Sequence, residues 1–282
     1  MCWYKPLLRP LVSHFIAGET MGDALKYGKR LQGKEITPIF DILGEEGRGK
    51  EGIVRMSSEY LELLDQMERT HLQGGISLKL TAFGLDTDEE TCLRAVGRIV
   101  RHAHEKGAIV WIDMEGGGYT TSTLRIYRAL IAEYDNVGLC IQAYMKRAKR
   151  DILSLLPDQP KIRLVKGIYP QKSEAVYLTH AQINRNFKEL LSLMSQKDAW
   201  TAVGTHDMNI IAHALSLPFP NHMEFQLLKG IRDDEKKMLA EHGYSVCEYV
   251  PYGPHWEKYA IRRVGERLRN IKWIIQGWAG IK

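Results

Sequence analysis

Near the C-terminus the segment Tyr259-Ala-Ile-Arg262-Arg263-Val-Gly-Glu266-Arg267 places two arginines side by side. Adjacent guanidinium forks on a helix can clamp one carboxylate through paired charge-assisted hydrogen bonds, although the same residues could form a solvated basic face. Other polar residues close or interrupt short apolar runs: Asp41, with Glu45 just beyond it, Lys79, Asp113, Gln142, Arg163 with Lys166, Thr205 with His206, Gln226 and Tyr249. Taken singly, each has a structural reading as a solvent-reaching lysine, a helix-capping aspartate or a buried histidine. Taken together they point elsewhere. A charge inside an apolar run is costly to bury unless it is paired, so Lys79, Asp113 and Arg163 are expected to offset one another around a shared cavity. Lys79 or Lys166 could also form an imine with a carbonyl substrate, and an arginine clamp without turnover would suit an amino-acid sensor. The ten histidines form no His-Glu-x-x-His pattern and no His/Cys cluster at ligand spacing, so no metal centre is expected.

The runs that carry these residues repeat. Short, β-branched stretches at 36–43, 75–80, 108–114, 137–143, 162–167, 200–205, 224–228 and 244–250 alternate with longer stretches, such as 89–106 and 182–196, where apolar residues recur three and four apart. Strand and helix alternating eight times predict a closed parallel (β/α)8 barrel of the TIM type, in which acting side chains sit at the C-terminal strand ends. A doubly wound open sheet would need a Gly-rich phosphate turn after an early strand; Gly116-Gly-Gly118 follows the third run without the required spacing or the later acidic partner. Residues 7–30 read as helices covering the bottom or side of the barrel. The expected organisation is one domain over 1–282, with a helical segment at 1–35 and the barrel at 36–282.

Composition agrees with that architecture. The chain has 282 residues, 44% of them hydrophobic, enough for one barrel of about 250 residues. A net charge of +5 without a long run of like charge gives no indication of nucleic-acid binding. Cys2, Cys92, Cys140 and Cys247 are too widely spaced for a disulfide framework or a metal knuckle, which suits a reducing compartment. The opening Met1-Cys-Trp-Tyr-Lys-Pro lacks the features of a secretory signal and no stretch of 18 apolar residues occurs, so a cytoplasmic chain, at most peripheral to a membrane, is expected.

In order along the chain, Asp41-Ile-Leu-Gly-Glu45, Ser77-Leu-Lys79-Leu-Thr81, Ile112-Asp113-Met-Glu115, Gln142-Ala-Tyr144, Arg163-Leu-Val-Lys166-Gly167-Ile-Tyr169, Thr205-His206, Glu224-Phe-Gln226 and Tyr249-Val-Pro-Tyr252-Gly253 resemble the proline dehydrogenase family. So does the stretch from Tyr259 through Arg262-Arg263 to Glu266, and the resemblance runs from about residue 15 to about residue 270. Two departures stand out. Gly116 replaces the acidic residue usual after Glu115, which implies a looser loop, and Leu268 replaces a proline after Glu266-Arg267, which implies a longer helix.

The resemblance implies a barrel that binds FAD noncovalently and oxidises L-proline to Δ1-pyrroline-5-carboxylate, the first step of proline catabolism. It implies that Met114, Gln142, Arg163, Val165, Lys166, Gly167, Ile168, Thr205, His206 and Gln226 line the flavin. Lys79, Arg262 and Arg263 would hold the proline carboxylate, while Tyr249, Tyr259 and Leu228 close over the ring. Asp113 and Arg163 are the catalytic pair by the same resemblance, and Glu45 is expected to gate the site by pairing with Arg262. A membrane quinone is the implied electron acceptor, reached by peripheral association, and a separate pyrroline-5-carboxylate dehydrogenase the implied consumer of the product. Hydroxyproline and N-alkylated prolines stay open as substrates.

Overall fold

The computed structural model describes residues 13–44, 49–169, 171–219, 222–257, 259–261 and 263. Eight parallel strands close into a barrel in chain order, each neighbour hydrogen-bonded to the next and the last to the first. They are β1 (Ile36–Ile42), β2 (Gly75–Lys79), β3 (Ile109–Asp113), β4 (Val137–Gln142), β5 (Lys161–Val165), β6 (Thr201–Gly204), β7 (Met223–Leu228) and β8 (Ser245–Tyr252). Helix α1 (Met21–Gln32) precedes the barrel, and α2 (Gly49–Arg69), α3 (Glu89–Glu105), α4 (Thr120–Ile131), α5 (Ala148–Leu155), α6 (His180–Gln196), α7 (Met208–Leu215) and α8 (Asp233–Glu241) follow successive strands. Burial on both strand faces explains why β2 and β4 read as nearly continuous apolar runs. Helix starts follow local chemistry: Thr20 and Thr179 form capping boxes, and Asp88 accepts from the backbone N–H groups of Glu90 and Thr91. Gly107, at φ +67°, follows the end of α3 in the left-handed conformation usual for a helix stop.

The barrel interior changes character along its axis. Ile39, Trp111, Ala202 and Cys247 form an apolar plug near the N-terminal pole. The Trp111 ring fits because its neighbour across the sheet is Gly138, where a Cβ would lie 2.4 Å from the indole. Two residues further along their strands, Asp41 and Asp113 point into the same lumen, so polar side chains replace the aliphatic layers usual in such barrels. This is the layer that forms the site.

Every strand boundary lies within one residue of the sequence reading except two, which differ by two residues. Strand β5 stops at Val165 rather than Gly167, because Gly167 adopts φ +104° and turns the chain outward; a Cβ there would also lie 2.1 Å from the Tyr144 ring. Strand β8 continues through Pro251 to Tyr252, although proline has no N–H to donate. The last pair between β7 and β8 is Leu228 with Tyr249, so Pro251 falls where β7 has ended.

The space beside Pro251 is filled by the N-terminal segment, which corrects the expected position of the leading residues. Ala17 N–H donates to Pro251 O at 2.9 Å and Gly253 N–H to Gly18 O at 3.1 Å. Lys229, just past β7, donates to the carbonyls of Ser13 and His14, both at 2.9 Å. Residues 13–18 therefore lie at the C-terminal end of the barrel and are not helical, while α1 packs along its side against β1 and β8. Residues 1–12, part of the expected helical segment, lie outside the described residues.

A buried ion pair ties α8 to the barrel wall. Lys236 and Glu248 are each 1% exposed and paired, and Tyr27 of α1 donates to Glu248 Oε1 at 2.6 Å. Removing one partner of such a pair strands the other charge, at a cost of about 3–5 kcal/mol. Lys236→Met is thus expected to lower the urea midpoint sharply. Lys236→Met/Glu248→Leu should recover much of the loss, and equal midpoints for the single and double variants would contradict this.

Candidate functional site

At the C-terminal strand ends, buried side chains from six strands form one network of charged and polar groups. Lys79 Nζ lies 3.0 Å from Asp41 Oδ1 and 3.3 Å from Asp113 Oδ2. Arg163, 4% exposed, pairs with Asp113 through Nη2. It also donates to Ser77 Oγ at 2.9 Å and to Gln226 Oε1 at 3.0 Å. Asp113 accepts in addition from Ser77 Oγ and from Tyr249 OH, each at 2.9 Å. The Arg163 guanidinium stacks 5.0 Å from the Trp111 ring centroid and 5.6 Å from that of Tyr249, which fixes its plane. The expected mutual offset of Lys79, Asp113 and Arg163 is present, with Asp113 at its centre.

Electrostatics follow from this geometry. Burial by itself raises the Asp113 carboxyl, but the charges of Arg163 and Lys79, with the Tyr249 and Ser77 hydroxyls, outweigh it and hold the group below the ordinary carboxylate value. Asp113 is therefore ionised at neutral pH and a weak base. Burial, then the positive charge of Lys236 and Arg263, pushes His206 down to about 3. His206 is neutral, and its Nε2 accepts from Leu228 N–H at 2.9 Å, which leaves the ring proton on Nδ1.

One cavity of about 1460 Å³ gathers the site residues named from the sequence. Met114 and Gln142 enter it from β3 and β4; Arg163, Val165, Lys166, Gly167 and Ile168 enter from β5 and the turn after it. Thr205 and His206 follow β6, Gln226 and Leu228 come from β7, and Tyr249 from β8. Lys79 and Asp113 form its inner wall, and Tyr259 and Arg263 its outer rim. Gln142 is aimed by a bond from its Nε2 to Glu115 O at 3.0 Å. Arg262 and Glu45, the second arm of the clamp and the expected gate, lie outside the described residues.

Tyr259 is held in an apolar cluster with Phe15, Ile16, Leu43, Trp256 and Ala260, and Trp256 Nε1 donates to Glu19 Oε1 at 3.1 Å. The N-terminal segment thus seats the rim that carries Arg263. In the Gly116 loop, residues Gly117–Tyr119 form a 3-10 turn, with the Gln171 side chain packed against Gly117.

Three residues of the site carry no assigned role in the sequence reading, which names Asp41 only as a polar strand-end residue. Asp41 and Ser77 share the inward face of their strands with the named residues, and the two-residue alternation around Lys79 was the available signal for Ser77. Asp207 caps α7 through Asn209 N–H and also accepts from Lys166 Nζ at 2.7 Å and Asn184 Nδ2 at 2.9 Å. The capping role was legible in the sequence; the contact with Lys166 required the fold.

Such a cavity can orient a small carboxylate against a larger bound group while excluding water from the charged wall. The proline dehydrogenase family model matches residues 24–272. Proline dehydrogenase 1 of Bacillus subtilis (strain 168) is 35% identical over 268 residues, covering 93% of this chain and 89% of the relative. Proline dehydrogenase of Deinococcus radiodurans is 31% identical over 280 residues, covering 95% and 89%. Among solved structures, proline utilization A (PutA) from Bdellovibrio bacteriovorus, inactivated by N-propargylglycine, superposes with a TM-score of 0.86 at 25% identity. That match covers 99% of this chain and 35% of the PutA chain, so this chain spans about a third of the larger protein's length. With the family match and this identity over nearly the whole of both chains, the chain belongs to the proline dehydrogenase family, oxidoreductases that act on proline.

Proposed function

We propose that the barrel oxidises L-proline to Δ1-pyrroline-5-carboxylate with FAD in the large cavity. The observation that carries this reading is the buried Lys79–Asp113–Arg163 network at the wall of a cavity far larger than proline requires. A volume of about 1460 Å³ exceeds the range of about 300–1,000 Å³ for ordinary small-ligand sites and fits a dinucleotide beside an amino acid. The donor set fits as well: neutral His206 with its Nδ1 proton, the Gln142 and Gln226 amides, and the Lys166 ammonium all line that space. FAD bound there supplies the acceptor for the two electrons and hydrogen removed from the ring carbon beside the proline nitrogen.

The residues of the chain supply binding and electrostatics. Lys79 and Arg163 balance Asp41 and Asp113, so this inner wall adds no net charge. The positive charge that holds a substrate carboxylate comes from the rim, from Arg263 together with Arg262. Lys79 then orients the carboxylate as a hydrogen-bond donor held in place by two aspartates. Arg163 presents a fixed planar cation where negative charge develops, a preorganised role often worth several kcal/mol. Asp113, ionised and weakly basic, positions Lys79 and Arg163 more than it removes the amine proton. Tyr249, Tyr259 and Leu228 close over the ring. The electrons pass to a membrane quinone by peripheral association at the inner face of the cell membrane, and a separate pyrroline-5-carboxylate dehydrogenase takes the product. Among the described residues no helix is long and apolar enough to cross a membrane.

The visible spectrum of the purified protein tests the reading. Flavin bands that bleach anaerobically on addition of proline are the expected result. A colourless protein whose proline adduct is trapped by borohydride would favour imine chemistry instead.

In this reading the bulk of Tyr249 excludes a 4-hydroxyl on the substrate ring. An apolar pocket rejects an added hydroxyl by only about a hundredfold, so discrimination relies on the bulk of the tyrosine. Tyr249→Ser should move the ratio of kcat/KM for proline over trans-4-hydroxyproline about tenfold toward hydroxyproline. Tyr249→Phe loses the bond to Asp113 but keeps the ring, so its ratio should stay near wild type while its kcat falls. A ratio moved equally by both variants would assign specificity to the hydroxyl.

A further inference from the structure

Beneath the charge network, toward the N-terminal pole, β7 carries a further carboxyl, that of Glu224, two residues before Gln226. Gln226 donates from Nε2 to Glu224 Oε1 and accepts at Oε1 from Arg163 Nη1 at 3.0 Å. The Cys247 thiol lies beside the same carboxyl. These contacts continue the network as one polar file: Cys247, Glu224, Gln226, Arg163, Asp113. A primary amide has two chemically opposite ends, a carbonyl that accepts and an NH₂ that donates, whereas a guanidinium only donates. The Arg163 bond therefore exists only when Gln226 turns its oxygen upward. Glu224 offers the acceptor that its NH₂ group then meets below.

We infer that Glu224 is a positioning residue for the oxidation chemistry, acting through the Gln226 amide to keep an acceptor against Arg163. Burial raises the Glu224 carboxyl above its ordinary value, partly offset by the bond from Gln226. Either protonation state keeps a carboxyl oxygen for the Gln226 NH₂. Two features separate this role from general structural support. The contribution passes through one side chain, and a neutral side chain with an oxygen in the same place preserves it. Without Glu224 the Gln226 NH₂ has lost its partner and the amide can invert, setting donors against the Arg163 donors. Arg163 then keeps Asp113 and Ser77 but loses the contact that pins its other nitrogen.

The inference rests on the flavin reading for its effect on rate, and a double-mutant cycle between Glu224 and Gln226 tests it. In Glu224→Met, reduction of the bound flavin by proline in anaerobic stopped flow is expected to be about tenfold to a hundredfold slower, the range of one charge-assisted hydrogen bond. Glu224→Gln should stay within about threefold of wild type, since its carbonyl still accepts. In a Gln226→Met background, adding Glu224→Met should change the rate less than about twofold, because the intermediary is already gone. The flavin midpoint potential should follow the same pattern, moving negative in Glu224→Met and returning in Glu224→Gln. A Glu224→Met rate equal to wild type, independent multiplying effects of the two substitutions, or a Glu224→Gln as slow as Glu224→Met would each overturn the role. If Glu224→Met does not fold, Glu224→Gln at the wild-type rate and potential is the supporting result, and a Glu224→Gln slowed tenfold the contrary one. A colourless wild type would defeat the flavin reading separately. The urea midpoints of the same four proteins would then decide, with non-additive midpoints expected and additive ones overturning the coupling.

Discussion

Asp113→Ala is expected to reduce kcat/KM for proline by at least about a hundredfold and to destabilise the fold by about 3–5 kcal/mol. The carboxylate is the shared partner of Lys79, Arg163, Ser77 and Tyr249. Its removal leaves the buried cations Lys79 and Arg163 facing Asp41 alone. Arg163 retains Ser77 and Gln226 but loses its charge partner, and Lys79 is drawn toward Asp41 on one side of the lumen. Misplacement by about 1 Å in a preorganised site is enough for a hundredfold loss. Asp113→Asn keeps the shape but turns one acceptor into a donor opposite cations, so it should recover folding in part and activity little. Steady-state kinetics and urea unfolding of both variants check this, and a loss below about tenfold in Asp113→Ala would remove Asp113 from the centre of the site.

The second large effect is expected at Arg163. Its guanidinium serves three hydrogen-bond acceptors at once and stacks between two rings, a geometry that a single ammonium cannot reproduce. Arg163→Lys keeps the charge but loses the plane, and lysine can reach Asp113 or Gln226 without holding both. Proline-dependent reduction is expected to slow by about a hundredfold or more, the size of effect seen when one preorganised donor is lost. Affinity for an unreactive proline analogue should change less than about threefold, because the carboxylate is held elsewhere. Single-turnover kinetics alongside analogue titration separates the two. Parallel losses in rate and affinity would move Arg163 from transition-state stabilisation to substrate binding.

The eight strands and the order of polar residues at their ends were legible in the sequence because both signals are local. A buried strand must be apolar on both faces, and a polar residue that breaks such a run shows itself whatever its partners are. Helix starts at Thr20, Asp88 and Thr179 were written locally too, since a cap bonds to its own first turn. The tertiary structure decided what depends on contacts between distant segments. Asp113 as the hub joins residues from four strands, and nothing in the run Ile112-Asp113-Met114 states which cations will arrive there. The same holds for Asp207 beside Lys166, for residues 13–18 taking the place of β7 beside Pro251, and for the orientation of the Gln226 amide between Glu224 and Arg163. Strand patterns name the residues that face the lumen. Barrel closure and register set which of them meet, because hydrogen-bond and ion-pair distances are fixed only when every strand is in place.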